Sequence, residues 1–110
     1  FIEAGDPEVE RVFRVKSWRV GVTICEDIWA WDLPGQRNPY QNNPIKKVAN
    51  WTPDLVINLS ASPYFPNKFE QRKQLAKKMT KLTQSPFIYV NMVGAQDEII
   101  FDGQSFALDK

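Results

Sequence analysis

LVINLSASPYFPNKFEQRKQLAKKMTKLTQSPFIYVNMV, at residues 55–93, is the stretch that decides the fold. Residues 55–59 form a nearly continuous apolar run, which is typical of a strand covered on both faces of a parallel sheet. Residues 67–83 repeat apolar positions at helical spacing, and residues 87–93 form a second run of the buried-strand type. A strand, a helix and a strand in this order predict a parallel crossover, with residues 55–59 in the centre of the sheet.

The predicted helix at residues 67–83 carries signals at both ends. Asn67 is expected to cap its first turn, and Glu70, three residues later, completes the pattern of a capping box. Lysines near its end suit the negative pole of the helix dipole. The basic residues from Arg72 to Lys81 are predicted to form a solvated face. The predicted apolar face contains Phe69, Ala76, Met79 and Leu82.

The residues on either side of this stretch extend the same architecture. Further strands are predicted at residues 12–15, 18–25 and 101–108, and a second helix at residues 44–51. The first two strands form a hairpin, Asn43 caps the short helix, and the turn-rich residues 32–43 form a long surface loop. The fold class is therefore α/β, with a mostly parallel sheet whose ligands gather at the carboxyl ends of the strands.

Composition excludes several classes of function. The 110 residues suffice for one domain, and a net charge of +1 gives no reason to expect a nucleic acid or an anionic membrane as partner. No apolar run approaches the length of a membrane span, so we expect a soluble chain. One cysteine and no histidine exclude an internal disulfide, a His-ligated metal and Ser-His-Asp or Cys-His chemistry within this chain, and they favour a reduced, cytoplasmic setting.

Three polar segments follow the predicted strands and are expected to meet at one edge of the sheet. They are Cys25-Glu26-Asp27, residues 60–64 and residues 94–98. A lone cysteine at a strand end is either a small core residue or a nucleophile. The carboxylates at 26 and 27 argue against a core position, but they also disfavour a thiolate. A reactive Cys25 therefore needs a nearby cation or an external base.

Lys68 stands in the first turn of the longer helix, where the positive pole of the dipole disfavours a cation. An anionic ligand would resolve this conflict, and the alternative is a lysine that simply extends into water. Ser62 precedes the same helix at a strand-to-helix turn, where free backbone N–H groups favour anions. Its alternative role is turn formation with Pro63.

Residues 21–29, GVTICEDIW, resemble the nucleophile motif of the nitrilase, or carbon–nitrogen hydrolase, superfamily. The Cys-Glu-Asp-Ile-Trp version is similar to the glutaminase domains of glutamine-dependent NAD synthetases. Residues 58–64 and 90–106 match further motifs of that family in the same order. The resemblance covers most of the chain and implies a partial αββα sandwich.

The resemblance also implies a chemistry. In this family a Glu-Lys-Cys group hydrolyses the side-chain amide of glutamine through a cysteine thioester and releases ammonia, so Cys25 would be the nucleophile. Ser62 and Lys68 fall on glutamine-binding positions. Glu26 would assist through its backbone N–H as an oxyanion donor, with its side chain available to the substrate.

The family's catalytic Glu and Lys lie before the nucleophile strand, and this sequence offers no match for them. Candidate residues are Glu3, Glu8, Glu10 and Lys16, but they stand too close to Cys25 and lack the flanking motifs. The chain also begins with Phe1 and has no signal-peptide pattern. We therefore expect residues 1–110 to be the C-terminal part of a glutaminase domain, without two of its three catalytic groups.

The resemblance finally predicts the partners. They are L-glutamine, a synthetase domain of the same parent chain that uses ATP, Mg²⁺ and deamido-NAD, and further copies of the protein in a homo-oligomer. No cofactor or metal is predicted in these 110 residues, which contain no phosphate loop of the Walker type. Two alternatives remain open: another amidase of the superfamily, and a non-catalytic α/β module in which Cys25 is structural.

Overall fold

The computed structural model describes Asp6, residues 9–31 and residues 43–110. A 3₁₀ helix occupies Cys25–Trp29. The strands are β1 (Val12–Val15), β2 (Trp18–Ile24), β3 (Leu55–Ser60), β4 (Phe87–Asn91), β5 (Val93–Gln96), β6 (Ile99–Asp102) and β7 (Phe106–Leu108), and the helices are α1 (Pro44–Asn50) and α2 (Lys68–Thr83). Most of the predicted loop at 32–43 lies outside the described residues. Within the described part, no helix is long and apolar enough to cross a bilayer.

Five strands form the main sheet in the order β1-β2-β3-β4-β7. The three inner strands β2, β3 and β4 are parallel, and both edge strands pair antiparallel with their neighbours. The predicted hairpin, the parallel crossovers and the central place of residues 55–59 are therefore confirmed. The remaining strands, β5 and β6, form a separate antiparallel hairpin.

Both helices pack on one face of the main sheet. The core combines side chains of α1, α2 and the 3₁₀ helix with residues of β3 and β4: Ile28, Ile45, Val48, Val56, Ala76, Met79, Phe87 and Tyr89. At Gly21 the sheet approaches α1 so closely that an added Cβ would lie 2.8 Å from Cγ1 of Val48. The main sheet and the helices that cover it thus form two layers, which is half of the four-layer arrangement that the resemblance implies.

The start of α1 agrees with the sequence, whereas the start of α2 does not. Oδ1 of Asn43 accepts a hydrogen bond from the Ile45 N–H at 2.9 Å, as expected of a cap. Asn67, in contrast, adopts a φ of +63° and makes no side-chain cap. The predicted capping box at α2 is wrong, because this backbone conformation leaves the Asn67 side chain without a hydrogen bond to the first turn. Glu70 instead pairs with Lys73 at 3.3 Å.

The buried face of α2 also differs from the prediction. Leu82 is exposed, and Arg72, which was expected in the solvated face, has no exposed surface at all. The helix is therefore rotated such that a basic side chain enters the protein. Asp102, which is distant in sequence, forms an ion pair with Arg72 at 3.1 Å and makes this burial tolerable.

The end of the chain follows a different path from the one predicted. The expected strand at 87–93 ends at Asn91, and the expected strand at 101–108 is divided between β6 and β7. At Met92 the chain leaves the main sheet, and its N–H donates to the Ser60 carbonyl at 2.9 Å. Gly103 returns it with a φ of +64°, a conformation that glycine adopts without strain.

Candidate active site

Two of the three polar segments meet at the carboxyl ends of the parallel strands, whereas residues 94–98 lie in the separate β5–β6 hairpin, because β4 ends at Asn91. The backbone N–H of Ser62, after β3, donates to Oδ1 of Asn91, at the end of β4, at 2.8 Å. Nζ of Lys68 lies 3.9 Å from the centre of the Trp29 ring in the 3₁₀ helix. Cys25, Ser62 and Lys68 therefore belong to one edge of the molecule.

Cys25 occupies a strained corner between β2 and the 3₁₀ helix. Its φ is +43°, in the left-handed region that costs a residue with a Cβ roughly 1–2 kcal/mol. The turn is held by Asp27, whose Oδ2 accepts a hydrogen bond from the Ile24 N–H at 2.8 Å. The thiol is free and half-buried. Backbone strain of this kind is found at functional sites, which makes Cys25 a candidate for such a role.

Lys68 is a partly buried cation at the same edge as Cys25. Burial is the main influence on it and lowers its pKa; the charges of Glu26 and Cys25 raise the pKa, and that of Arg72 lowers it. Because Cys25 and Glu26 both influence this ammonium, Lys68 supplies positive charge near these two residues. The ring of Trp29 covers one side of the ammonium. This contact favours a cation in the first turn of α2, where the helix dipole disfavours one.

Ser62 is buried, with 5% of its surface exposed. Its carbonyl accepts hydrogen bonds from Nη2 of Arg72 at 2.9 Å and from Nδ2 of Asn91 at 3.2 Å, and its Oγ accepts a third from Nη2 of Arg72 at 3.2 Å. Glu26, in contrast, is exposed. The four predicted site residues, Cys25, Glu26, Ser62 and Lys68, thus lie along the same edge of the sheet.

A buried polar chain connects the strands directly below this edge. Nδ2 of Asn58 donates to Oγ1 of Thr23 at 3.0 Å, and Oγ of Ser60 donates to Oδ1 of Asn58 at 2.6 Å. Asn58 and Thr23 are almost completely buried. Because buried polar groups are costly unless they are paired, this chain fixes the end of β2, and hence Cys25, against the end of β3.

Glu10 and Lys16, the two candidates before β2 that the structure describes, are not placed to act on the thiol. Glu10 forms an ion pair with Arg19 at 3.5 Å. Lys16 lies in the turn before β2, and at about 3.3 Å per residue that seven-residue strand separates it from Cys25 by about 23 Å. Glu3 and Glu8 lie outside the described residues.

Sequence reasoning missed three residues of this edge, Arg72, Asn91 and Asp102. Asn91 lies within the predicted buried strand at 87–93, where a polar residue is a signal. Arg72 follows Lys68 by one helical turn, so the two share a face of α2. Nothing in the local sequence, however, indicates the pairing of Arg72 with Asp102. In the described part of the chain, no three Cys, Asp or Glu residues come together as a metal site would require.

The described fold is shared with enzymes that hydrolyse carbon–nitrogen bonds. An amidase of the nitrilase superfamily from Nesterenkonia sp. AN1 superposes with a TM-score of 0.72 at 16% identity, over 99% of this chain and 36% of the amidase. No protein-family model matches the sequence. The described residues therefore share the fold of this part of the amidase.

Closer relatives define the family. A curated glutamine-dependent NAD⁺ synthetase from Synechocystis is 43% identical over 97 residues, which are 88% of this chain and 17% of the relative. A solved glutamine-dependent NAD⁺ synthetase from Acinetobacter baumannii, in complex with adenosine diphosphate, is 37% identical with a TM-score of 0.73, over 89% of this chain and 16% of that one. The chain is therefore homologous to a part of the glutamine-dependent NAD⁺ synthetases, and it spans about a sixth of the length of these relatives.

Proposed function

We propose that this chain carries the nucleophile and part of the glutamine site of a glutaminase that supplies ammonia for NAD synthesis. The observation that supports the proposal most strongly is the strained, half-buried Cys25 within the electrostatic reach of Lys68. Residues 1–110 would then be the C-terminal part of the glutaminase domain.

The proposed reaction begins with Sγ of Cys25 as a thiolate. It attacks the carbon of the glutamine side-chain amide, and the tetrahedral intermediate collapses as the C–N bond breaks. The leaving nitrogen takes up a proton and departs as ammonia, which leaves a glutamyl thioester on Cys25. Water then attacks the thioester, and glutamate and the free thiol are formed. The Glu and Lys that the resemblance implies for the proton transfers have no assigned position in this sequence.

Substrate binding is proposed at the start of α2. Lys68 and Ser62 would bind the α-carboxylate of glutamine, since an ammonium and a hydroxyl donor beside a helix N-terminus suit an anion. The backbone N–H of Glu26, next to the nucleophile, would stabilise the developing oxyanion. The Glu26 side chain is exposed and remains available to the substrate.

The wider function is proposed from the family. The ammonia would be consumed by a synthetase domain that uses ATP, Mg²⁺ and deamido-NAD, in a cytoplasmic homo-oligomer without nucleic acid or membrane partners. The described residues offer no cluster of acidic side chains for Mg²⁺. No step of the proposed glutaminase reaction passes through the metal or the nucleotide.

Ammonia release from glutamine by the natural protein that carries this sequence tests the proposal. We expect Cys25→Ser to lower the rate by a factor of 100 or more, on the order of the loss of an essential nucleophile. Unchanged release in the serine variant would disprove the role of Cys25.

A second comparison separates a glutaminase from another amidase of the same superfamily. Lys68→Ala should reduce turnover of glutamine much more than turnover of butyramide, which has no α-carboxylate. Lys77→Ala, at an exposed position of the same helix, is the control. Equal losses on both amides would favour an amidase with a different substrate.

A further inference from the structure

Among the described residues, Arg72 is a fully buried charged side chain that the proposed reaction does not use. Its side chain lies in the interior, and its guanidinium is 5.8 Å from the centre of the Tyr89 ring. A buried cation is costly unless it is paired and hydrogen-bonded. Its partners therefore indicate what it does.

One side of the guanidinium is neutralised by Asp102, the last residue of β6. Nη1 of Arg72 donates to Oδ1 and Oδ2 of Asp102 at 3.1 and 3.2 Å. Asp102 is itself largely buried, with 12% of its side chain exposed. This pair cancels the charge of Arg72 and joins α2 to the base of the β5–β6 hairpin.

The other side of the guanidinium holds the segment after β3. Nη2 of Arg72 donates to the carbonyl and Oγ of Ser62 and, at 3.2 Å, to the carbonyl of Pro63. Asn91 fixes the same residue from β4, since its side chain accepts from the Ser62 N–H and donates to the Ser62 carbonyl. Nδ2 of Asn91 also donates to the Gly103 carbonyl at 3.0 Å. Ser62 is thus held by hydrogen bonds with Arg72 and Asn91, and Asp102 in turn holds Arg72.

We propose that Arg72, paired with Asp102, is a positioning residue that holds Ser62 as a hydrogen-bond donor for the carboxylate of the substrate. Because Oγ of Ser62 accepts from Arg72, its own proton is directed to another acceptor. Lys68 lies one turn before Arg72 on α2, so the two groups proposed to bind the carboxylate are fixed by the same helix. Asp102 neutralises Arg72, which leaves Lys68 as the charge for the ligand. This role rests on the proposed function.

The test compares two reagents that alkylate the thiol of Cys25 in the natural protein. A diazoketone analogue of glutamine carries the α-carboxylate, whereas iodoacetamide does not. We expect Arg72→Lys and Asp102→Asn to raise the concentration of analogue that gives half-maximal inactivation about tenfold, equivalent to one charge-assisted hydrogen bond. The rate with iodoacetamide should change less than about twofold. Lys73→Ala, which alters the neighbouring residue, is the control and should resemble the wild type.

A double-mutant cycle shows whether Arg72 acts through Ser62. If it does, Ser62→Ala should weaken analogue binding in the wild type but add little in Arg72→Lys. Additive losses, or equal losses with both reagents, would overturn the positioning role. Asp102→Asn keeps the cycle measurable if Arg72→Lys does not fold. Failure of the wild type to show saturable inactivation would overturn the proposed function itself, and with it this role.

Discussion

At Cys25 the backbone holds a side chain in a conformation that favours glycine, with a φ of +43°. This corner is fixed by the hydrogen bond from the Ile24 N–H to Asp27. It is also fixed by the buried polar chain of Thr23, Asn58 and Ser60. The thiol is therefore presented at the cost of local stability. Such local strain is found at functional sites and agrees with the proposed role of Cys25.

This strain can be measured by removing the thiol in two ways. Cys25→Gly and Cys25→Ala both lack sulfur, but only alanine keeps the Cβ that conflicts with a positive φ. We expect Cys25→Gly to be the more stable by about 1 kcal/mol in urea unfolding. Ala49→Gly, within α1, is the control and should be destabilised by about 1 kcal/mol. A glycine variant at 25 that is less stable than the alanine variant would contradict the strain.

Lys68 gives a pH-dependent prediction. Burial lowers its pKa in the folded protein, so the unfolded chain binds more protons between the folded and the ordinary lysine pKa. Below the folded pKa, the wild type bears the full free-energy cost of burying the charge of Lys68. This cost decreases as the pH rises towards the ordinary lysine pKa. Lys68→Met removes this cost. Its stability relative to the wild type should therefore be greatest near neutral pH and decline as the pH rises.

Free energies of unfolding of both proteins across alkaline pH provide the measurement. Lys77→Met controls for the loss of one charge at an exposed position. A relative stability of Lys68→Met that increases with pH would show that burial does not lower the pKa of Lys68.

At the scale of the elements, the sequence predicts the path from β2 to β4 because each step has a local cause. Apolar runs mark the inner strands, and Asn43 with Pro44 marks the start of α1. The β5–β6 hairpin escapes prediction because its residues are mostly exposed and carry no pattern of burial. Arg72 escapes for another reason. Its burial depends on Asp102, thirty residues later in the chain, and no pattern within α2 contains that partner.

The contact between β2 and α1 depends on the absence of a side chain at Gly21. A Cβ there would lie 2.8 Å from Cγ1 of Val48 and 3.4 Å from Cβ of Pro53. Gly21→Ala should therefore lower the free energy of unfolding by about 1–3 kcal/mol, as overpacking does. In a Val48→Ala background the added methyl has room, so the double variant should be more stable than the sum of the single effects. Additive effects would contradict this packing.

At the scale of the whole molecule, the two faces of the main sheet differ. One face is covered by α1 and α2. On the other face, in the described part of the chain, apolar side chains of adjacent strands remain in contact with solvent, with Ile24 64%, Leu59 48% and Val90 40% exposed. Patches of this kind are uncommon on free monomers. They agree with a chain that forms one half of a four-layer sandwich.

This exposed face predicts the behaviour of the 110-residue chain alone. We expect it to bind a hydrophobic fluorescent dye, and Leu59→Lys, in the middle of the apolar face, to reduce the fluorescence. Leu82→Lys, at an isolated exposed position on α2, is the control and should change it little. Dye binding that is insensitive to Leu59→Lys would show that this face does not dominate the surface properties of the chain.

The proposed reaction requires that Cys25 forms a covalent thioester with the side-chain carbonyl of glutamine. The most direct measurement is to mix the natural protein with isotope-labelled glutamine, quench the reaction in acid within the first turnover and locate the label by peptide mass spectrometry. We expect one glutamyl group on the peptide that contains Cys25, and none on that peptide in Cys25→Ser. Ammonia release without a labelled Cys25 peptide, or a label on another residue, would contradict the proposed mechanism.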